Sequence, residues 1–224
     1  MNCAIIDHLS NEEYHADPAV SASHLHQVAR SGQHYWAKYV TKVPELPKST
    51  AAMTMGSLVH CAVLEPDQLL KRYGIAPDRR TKAGKEAAAQ MLAEGIEPVS
   101  ESDLEQAQRM ASAVRFHPYA AELLSAGKAE TSIWWDDPET GMRCKCRPDW
   151  IDGRTCVDLK TTTDASPKGF AKSVANFRYH VQAAHYLAWP VRSVHLHRRG
   201  EGAALCRGRL RARRRCPGGG AAPP

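Results

Sequence analysis

Apolar residues recur near helical spacing at Leu25, Val28, Ala29, Tyr35, Trp36 and Tyr39, behind two serines able to cap, and predict a helix from about Ser23 to Tyr39. Pro44 and Pro47 interrupt the chain before a second apolar run, Ala51 to Leu64, which Glu65-Pro66 ends. On that second helix Gly56 and His60 are four residues apart and share a face. Arg79 to Lys85 leads into Ala-rich helix formers through Leu92. Ser102 or Asp103 can cap a further helix to Val114, with Leu104, Ala107, Met110 and Val114 as its apolar stripe.

From Glu130 the period changes to that of strands. Thr131-Ser-Ile-Trp-Trp is β-prone, and Asp136 to Gly141 reads as a turn. Met142 to Ile151 can return as one strand, Asp152-Gly153 turns again, and Thr155 to Lys160 makes a third, which together form a meander. A helix from about Lys168 to Leu187 follows, striped by Phe170, Val174, Phe177, Val181 and Ala184. Pro190 to Pro224 shows neither period, and its Arg, Gly, Ala and Pro content assigns it no element.

Charge adds less than its total suggests. The formal charge is +6, but Pro190 to Pro224 holds nine Arg against the single acid Glu201, so Met1 to Trp189 carries −2. The overall basicity therefore says little about partners. Seven cysteines, an odd number, with no signal-like segment before them, predict reduced thiols in a cytoplasmic protein. No apolar run approaches the ~20 residues that span a bilayer, and a length of 224 residues suits one α/β domain.

The chemistry centres on Asp158-Leu159-Lys160, where an acid and a lysine two apart on a strand leave the same face while Leu159 turns to the core. Asp149, nine residues earlier, can be brought beside Asp158 by hairpin pairing. Two converging carboxylates repel unless a cation neutralises them, and such hard oxygen ligands suit Mg²⁺ or Mn²⁺. A metal of this kind polarises a phosphoryl oxygen and acidifies the attacking water, and the lysine can orient that water or offset charge on phosphorus. A lone D-x-K triplet on a solvated strand edge would look the same; the Asp on the preceding strand, the threonines after Lys160 and a helix carrying Gln182 and Tyr186 add weight.

Six blocks, Gly56 to Pro66, Arg79 to Lys85, Asp137 to Gly141, Cys144 to Asp149, Val157 to Thr162 and Tyr179 to Gln182, resemble in order the nuclease domain of RecE, an exodeoxyribonuclease VIII-like member of the PD-(D/E)xK superfamily. The resemblance covers roughly Ser21 to Trp189. It implies a restriction-endonuclease-like α/β fold, a central mixed sheet flanked by helices, and Mg²⁺-dependent 5′ to 3′ digestion of one strand of linear duplex DNA. It also implies a toroidal tetramer and work beside a single-strand annealing protein in phage-type recombination. By the same resemblance His60 is a metal ligand with Asp149 and Asp158, Lys160 is the catalytic lysine, Glu130 helps at the metal or its water, and Gln182 and Tyr186 contact the DNA or the scissile phosphate.

Relatives of this type continue past the late helix with a further strand, which the composition after Trp189 does not suggest. The expectation is a domain over 1–189 lacking that strand, with 190–224 disordered or translated out of frame from a GC-rich gene. Two other functions compete: a structure-selective endonuclease with the same site, and a catalytically inert DNA-binding remnant of a prophage gene. Arg79, Arg80, Lys82 and Lys85 either hold DNA phosphates or form a solvated helix start. Cys144, Cys146 and Cys156 fit no four-ligand pattern and read as buried thiols. Of Trp134 and Trp135, which alternate faces, one is expected in the core and the other at an interface or stacking surface. His117, His180 and His185 are read as structural or exposed, and Asp152 as a turn residue.

Overall fold

A computed structural model describes residues 3–41, 50–153, 155–189, 193–199 and 209–210. The first elements are β1 (Ala4–Ile6) and α1 (Asn11–Ala16), the latter opened by a capping box in which Ser10 and Glu13 satisfy each other's backbone N–H. The helix expected from Ser23 to Tyr39 is divided: α2 (Ala22–Arg30) stops at Ser31, which is extended at φ −174° and caps α3 (Gly32–Tyr35), and a π turn, Trp36–Val40, follows. The Ser31 hydroxyl accepts the His34 N–H, a local bond that competes with continuing the helix. Pro44 and Pro47 lie outside the described residues.

Next comes α4 (Ala51–Leu64), with Thr50 as its N-cap, over the span that the apolar run predicts. It is followed by a 3₁₀ turn at Pro66–Gln68 and α5 (Leu69–Arg72). Strand β2 (Tyr73–Ile75), α6 (Lys82–Ala93) and β3 (Glu97–Val99) form a small crossover unit with the two strands parallel. Helix α7 (Glu101–Arg115) is capped by Ser100 rather than by Ser102 or Asp103, and Asp103 instead donates its N–H to the Ser100 hydroxyl. A short α8 (Pro118–Leu123) follows.

The strand region, β4 (Lys128–Ala129), β5 (Ser132–Asp136), β6 (Arg143–Cys146), β7 (Trp150–Asp152) and β8 (Thr155–Thr161), departs from a simple meander. The stretch expected as one strand from Met142 to Ile151 is cut at Arg147-Pro148-Asp149, and its halves join different sheets: β6 pairs β5, which pairs β1, while β7 pairs β8 and β4. Pro148, fully buried at the switch, has no N–H to give either ladder.

The late helix is also two, α9 (Pro167–Asn176) and α10 (Tyr179–Ala188), broken where Arg178 takes left-handed angles of 54° and 39°. Beyond it β9 (Ser193–Arg199) lies parallel to β8, and β10 (Arg209–Leu210) pairs β9, within a stretch to which the sequence pattern assigned no element. Strand β8 is therefore central in the order β10-β9-β8-β7-β4 and not an edge, with α9 and α10 forming the crossover that a parallel pair requires.

Two apolar layers sandwich β8. Leu58, Val59, Ala62 and Val63 of α4 pack with Leu104, Ala107, Ala111 and Val114 of α7, and Leu159 reaches them from β8. On the opposite side Ala183 and Tyr186 of α10 meet Cys156, Cys146, Cys144 and Trp135. The three cysteines are thus core thiols. Both tryptophans are buried as well, Trp135 in this layer and Trp134 against Tyr14 and Ala19, so neither is left for an interface or a base. Among the described residues no helix is long and apolar enough to cross a membrane.

The N-terminal segment is bound to the β5–β6 sheet by two cations. Lys145, only 1% exposed, donates to the carbonyls of Tyr14 and Asp17 at the C-terminal end of α1, where the helix dipole favours a positive charge. Arg147 lies 4.1 Å from the Tyr14 ring centroid and donates to Ser132, Asn11 and the Leu9 carbonyl. Lys145→Ala leaves buried carbonyls without a donor, and urea unfolding is expected to show a loss of about 3 kcal/mol.

Candidate active site

Asp149 follows the sheet switch, and its position is set by the backbone: its Oδ2 accepts the N–H of Leu159, on the neighbouring β8. His60 comes from α4, whose Gly56 faces β8: a Cβ there would meet Thr161 Oγ1 at 3.7 Å, an ordinary contact. The His60 Nε2 is 2.8 Å from the Leu159 carbonyl, so it carries the proton and leaves the Nδ1 lone pair free. That lone pair faces Asp149 Oδ1 at 3.5 Å. Burial pulls the His60 pKa down and keeps the ring neutral.

Glu130 completes the group. It has a left-handed φ of 50°, unusual for a residue with a Cβ, and donates its N–H to the Asp149 carbonyl at 3.2 Å. Ligand atoms of His60, Glu130 and Asp149 all lie within 4.8 Å of one another. Burial, with the nearby carboxylates adding to it, pushes Asp149 well above the usual carboxylate range, and burial raises Glu130 too. Two half-buried acids beside a neutral imidazole with its lone pair turned inward suit a divalent cation, which would supply the missing positive charge.

Asp158, expected as the second metal carboxylate, is held from the other side. Its Oδ1 accepts the Gln182 amide at 2.9 Å and its Oδ2 pairs with the Lys160 ammonium. The trio thus contains Glu130 where the sequence reading had Asp158, although Asp158 still raises the Asp149 pKa through its charge. Burial works against the charge on Lys160, but Asp158 and Asp149 outweigh it and raise its pKa, and the ammonium sits 5.0 Å from the Tyr179 ring centroid.

Gln182 and Tyr186 act inward. The Gln182 amide also donates to the Tyr186 hydroxyl at 2.8 Å, and that hydroxyl donates to the Arg147 carbonyl at 3.2 Å. Tyr186 is buried, so this chain of bonds positions Asp158 and the sheet switch and offers DNA no surface through the tyrosine. His185 is structural, bonded to the Lys145 carbonyl, and exposed His180 contacts the Val174 carbonyl. Asp152 ends β7 beside Gly153, whose φ is 52°, as a turn position should.

A cleft of about 900 Å³ opens beside His60 and Glu130, walled by Arg72, Lys128 and Arg147 and by residues 7–11. Arg79, Arg80, Lys82 and Lys85 do not line it; Arg80 pairs with Asp78 and Lys82 with Glu86, which weakens the phosphate reading of that segment.

The family described as PDDEXK-like domain of unknown function (DUF3799) matches residues 21–192. The chain belongs to this family. A comparison with curated proteins found no match. Membership makes the α/β fold a restriction-endonuclease-like one and points to nuclease-type hydrolase chemistry. The match runs from α2 through α10, so the N-terminal segment walling the cleft of this PDDEXK-like domain precedes the matched residues. Sequence reasoning put Glu130 near the metal only by resemblance; its signal in the chain is an acid one residue before a β-prone run.

The raised carboxylates give a stability test. A group whose folded pKa lies above its unfolded value adds stability below the ordinary carboxylate range and loses it as pH rises through the raised value. Metal-free protein is therefore expected to melt lower as pH climbs above the ordinary carboxylate range, Mg²⁺ or Mn²⁺ to restore it, and Asp149→Asn to flatten the trend. Glu130→Gln should weaken metal binding in calorimetry at least as much as the ~10–100-fold typical of losing an outer-shell partner.

Proposed function

We propose that this protein is a metal-dependent exodeoxyribonuclease of the RecE type, acting on linear duplex DNA. The observation that carries the reading is the convergence of His60, Glu130 and Asp149 next to the Asp158–Lys160 pair. A bound Mg²⁺ or Mn²⁺ would polarise the phosphoryl oxygen and lower the pKa of the attacking water. His60, Glu130 and Asp149 would hold it, with Asp158 adjoining.

The protein's own groups do the rest. Asp158 keeps the Lys160 ammonium charged in buried surroundings, so that it can orient the nucleophilic water or offset charge building on the phosphate. Gln182 and Tyr186 fix Asp158 and relieve Lys160 of a free choice of geometry. The 5′ to 3′ polarity, the toroidal tetramer, the annealing partner and the role in phage-type recombination are proposed from the RecE resemblance.

Release of nucleotides from linear, nicked and circular duplexes with Mg²⁺ tests the reading. Linear DNA should be digested and closed circles spared, with Asp158→Ala and Lys160→Ala each lowering the rate by roughly 10²–10³-fold. Cleavage of closed circles would replace the exonuclease with an endonuclease, and DNA binding without cleavage under any metal would make the chain an inert DNA-binding remnant.

A further inference from the structure

The α9–α10 elbow carries features that the metal site does not use. Phe177, closing α9, is 60% exposed, and its ring stacks on Tyr179 at 5.7 Å with 21° between planes. Tyr179 in turn lies under the Lys160 ammonium. An unbroken path of side chains therefore leads from the catalytic lysine to an exposed aromatic face. A large apolar ring held in water is a cost unless something covers it, and here it sits where Arg178 is in a left-handed conformation that non-glycine residues rarely adopt.

The charged residues of this helix pair are of one sign. Residues 165–189 contain no Asp or Glu, while Lys168, Lys172 and Arg178 are all exposed. Lys168 and Lys172 are four apart on α9 and so share a face. None of the three pairs with a carboxylate among the described residues, in contrast to Arg80 and Lys82 on the Arg79 to Lys85 segment. Unpaired cations on the same helix and elbow as an exposed ring stacked on a half-buried one match the chemistry that binds single-stranded nucleic acid, in which phosphates take the cations and a base takes the ring.

We infer that the elbow is a platform for an unpaired DNA strand, with one base stacked on Phe177 and Tyr179 and the flanking phosphates held by Lys168, Lys172 and Arg178. A base inside a duplex has both faces covered by its neighbours, so the platform selects a frayed or overhanging end. The inference rests on the nuclease reading and adds to it the form of DNA that the site receives.

The test uses the whole protein, Ca²⁺ in place of Mg²⁺ to slow cleavage, and an oligonucleotide carrying one 2-aminopurine, with duplex DNA in parallel. Binding should quench the probe. Phe177→Ala should abolish the quench and weaken binding about ten-fold, while Phe177→Trp keeps both. Lys168→Ala with Lys172→Ala should reduce the slope of log affinity against log salt by about 1.4, and Arg79→Ala with Lys82→Ala should leave it near wild type. These positions are exposed, and unchanged melting temperatures would confirm intact folding. Wild-type binding with a quench and affinity unaltered in Phe177→Ala overturns the platform and leaves the nuclease reading standing; wild-type protein that binds neither DNA overturns both.

Discussion

A buried and a half-buried carboxylate within each other's field set the terms for this fold. Asp149 and Asp158 repel, and the structure answers with separate partners: the Leu159 N–H for one, Lys160 and Gln182 for the other. Burial leaves this arrangement short of positive charge on the Asp149 side, where Glu130 adds a third acid and His60 offers only a neutral lone pair. A divalent cation is the economical remedy, and the same shortage is what makes the site chemically useful.

The surrounding elements serve that placement. The switch at Arg147-Pro148-Asp149 sends the chain from one sheet to another, so the carboxylate at the turn escapes a regular ladder and can meet the Leu159 N–H. Burying the β8 face against α4 and α7 brings His60 to the strand, and burying the other face against α10 brings Gln182 and Tyr186. Among the described residues three non-glycine positions are left-handed, His8 on the cleft wall, Glu130 in the trio and Arg178 at the elbow beside Tyr179. Their clustering near the chemistry fits the tendency of functional sites to hold strained backbone that packing elsewhere compensates.

The cationic side chains divide by environment rather than by number. Lys145 and Arg147 are structural, binding α1 to the sheet. Arg80 and Lys82 are balanced by neighbours, whereas Lys168, Lys172 and Arg178 pair with no carboxylate among the described residues and share the α9–α10 elbow region with an exposed ring. A basic run in sequence therefore points to a nucleic acid less reliably than a short acid-free stretch whose charges stay unpaired in the fold.

The sequence by itself determined α4 to the residue, the strand carrying Asp158 and Lys160, their shared face, and Leu159 turned to the core, because these follow from local period and side-chain alternation. It also placed Asp149 beside that strand, since a short turn limits where the chain can return. Tertiary structure alone decided the rest. The breaks at Ser31, at Pro148 and at Arg178 come from local bonds and sheet changes that leave the apolar spacing intact on both sides. Strand β9 was hidden because Ser193 to Arg199 sits in Arg-rich surroundings, and its parallel pairing depends on a partner more than thirty residues back. The grouping of Glu130 with His60 and Asp149 joins three elements distant in the chain, a relation that no local spacing encodes and that only packing on β8 brings about.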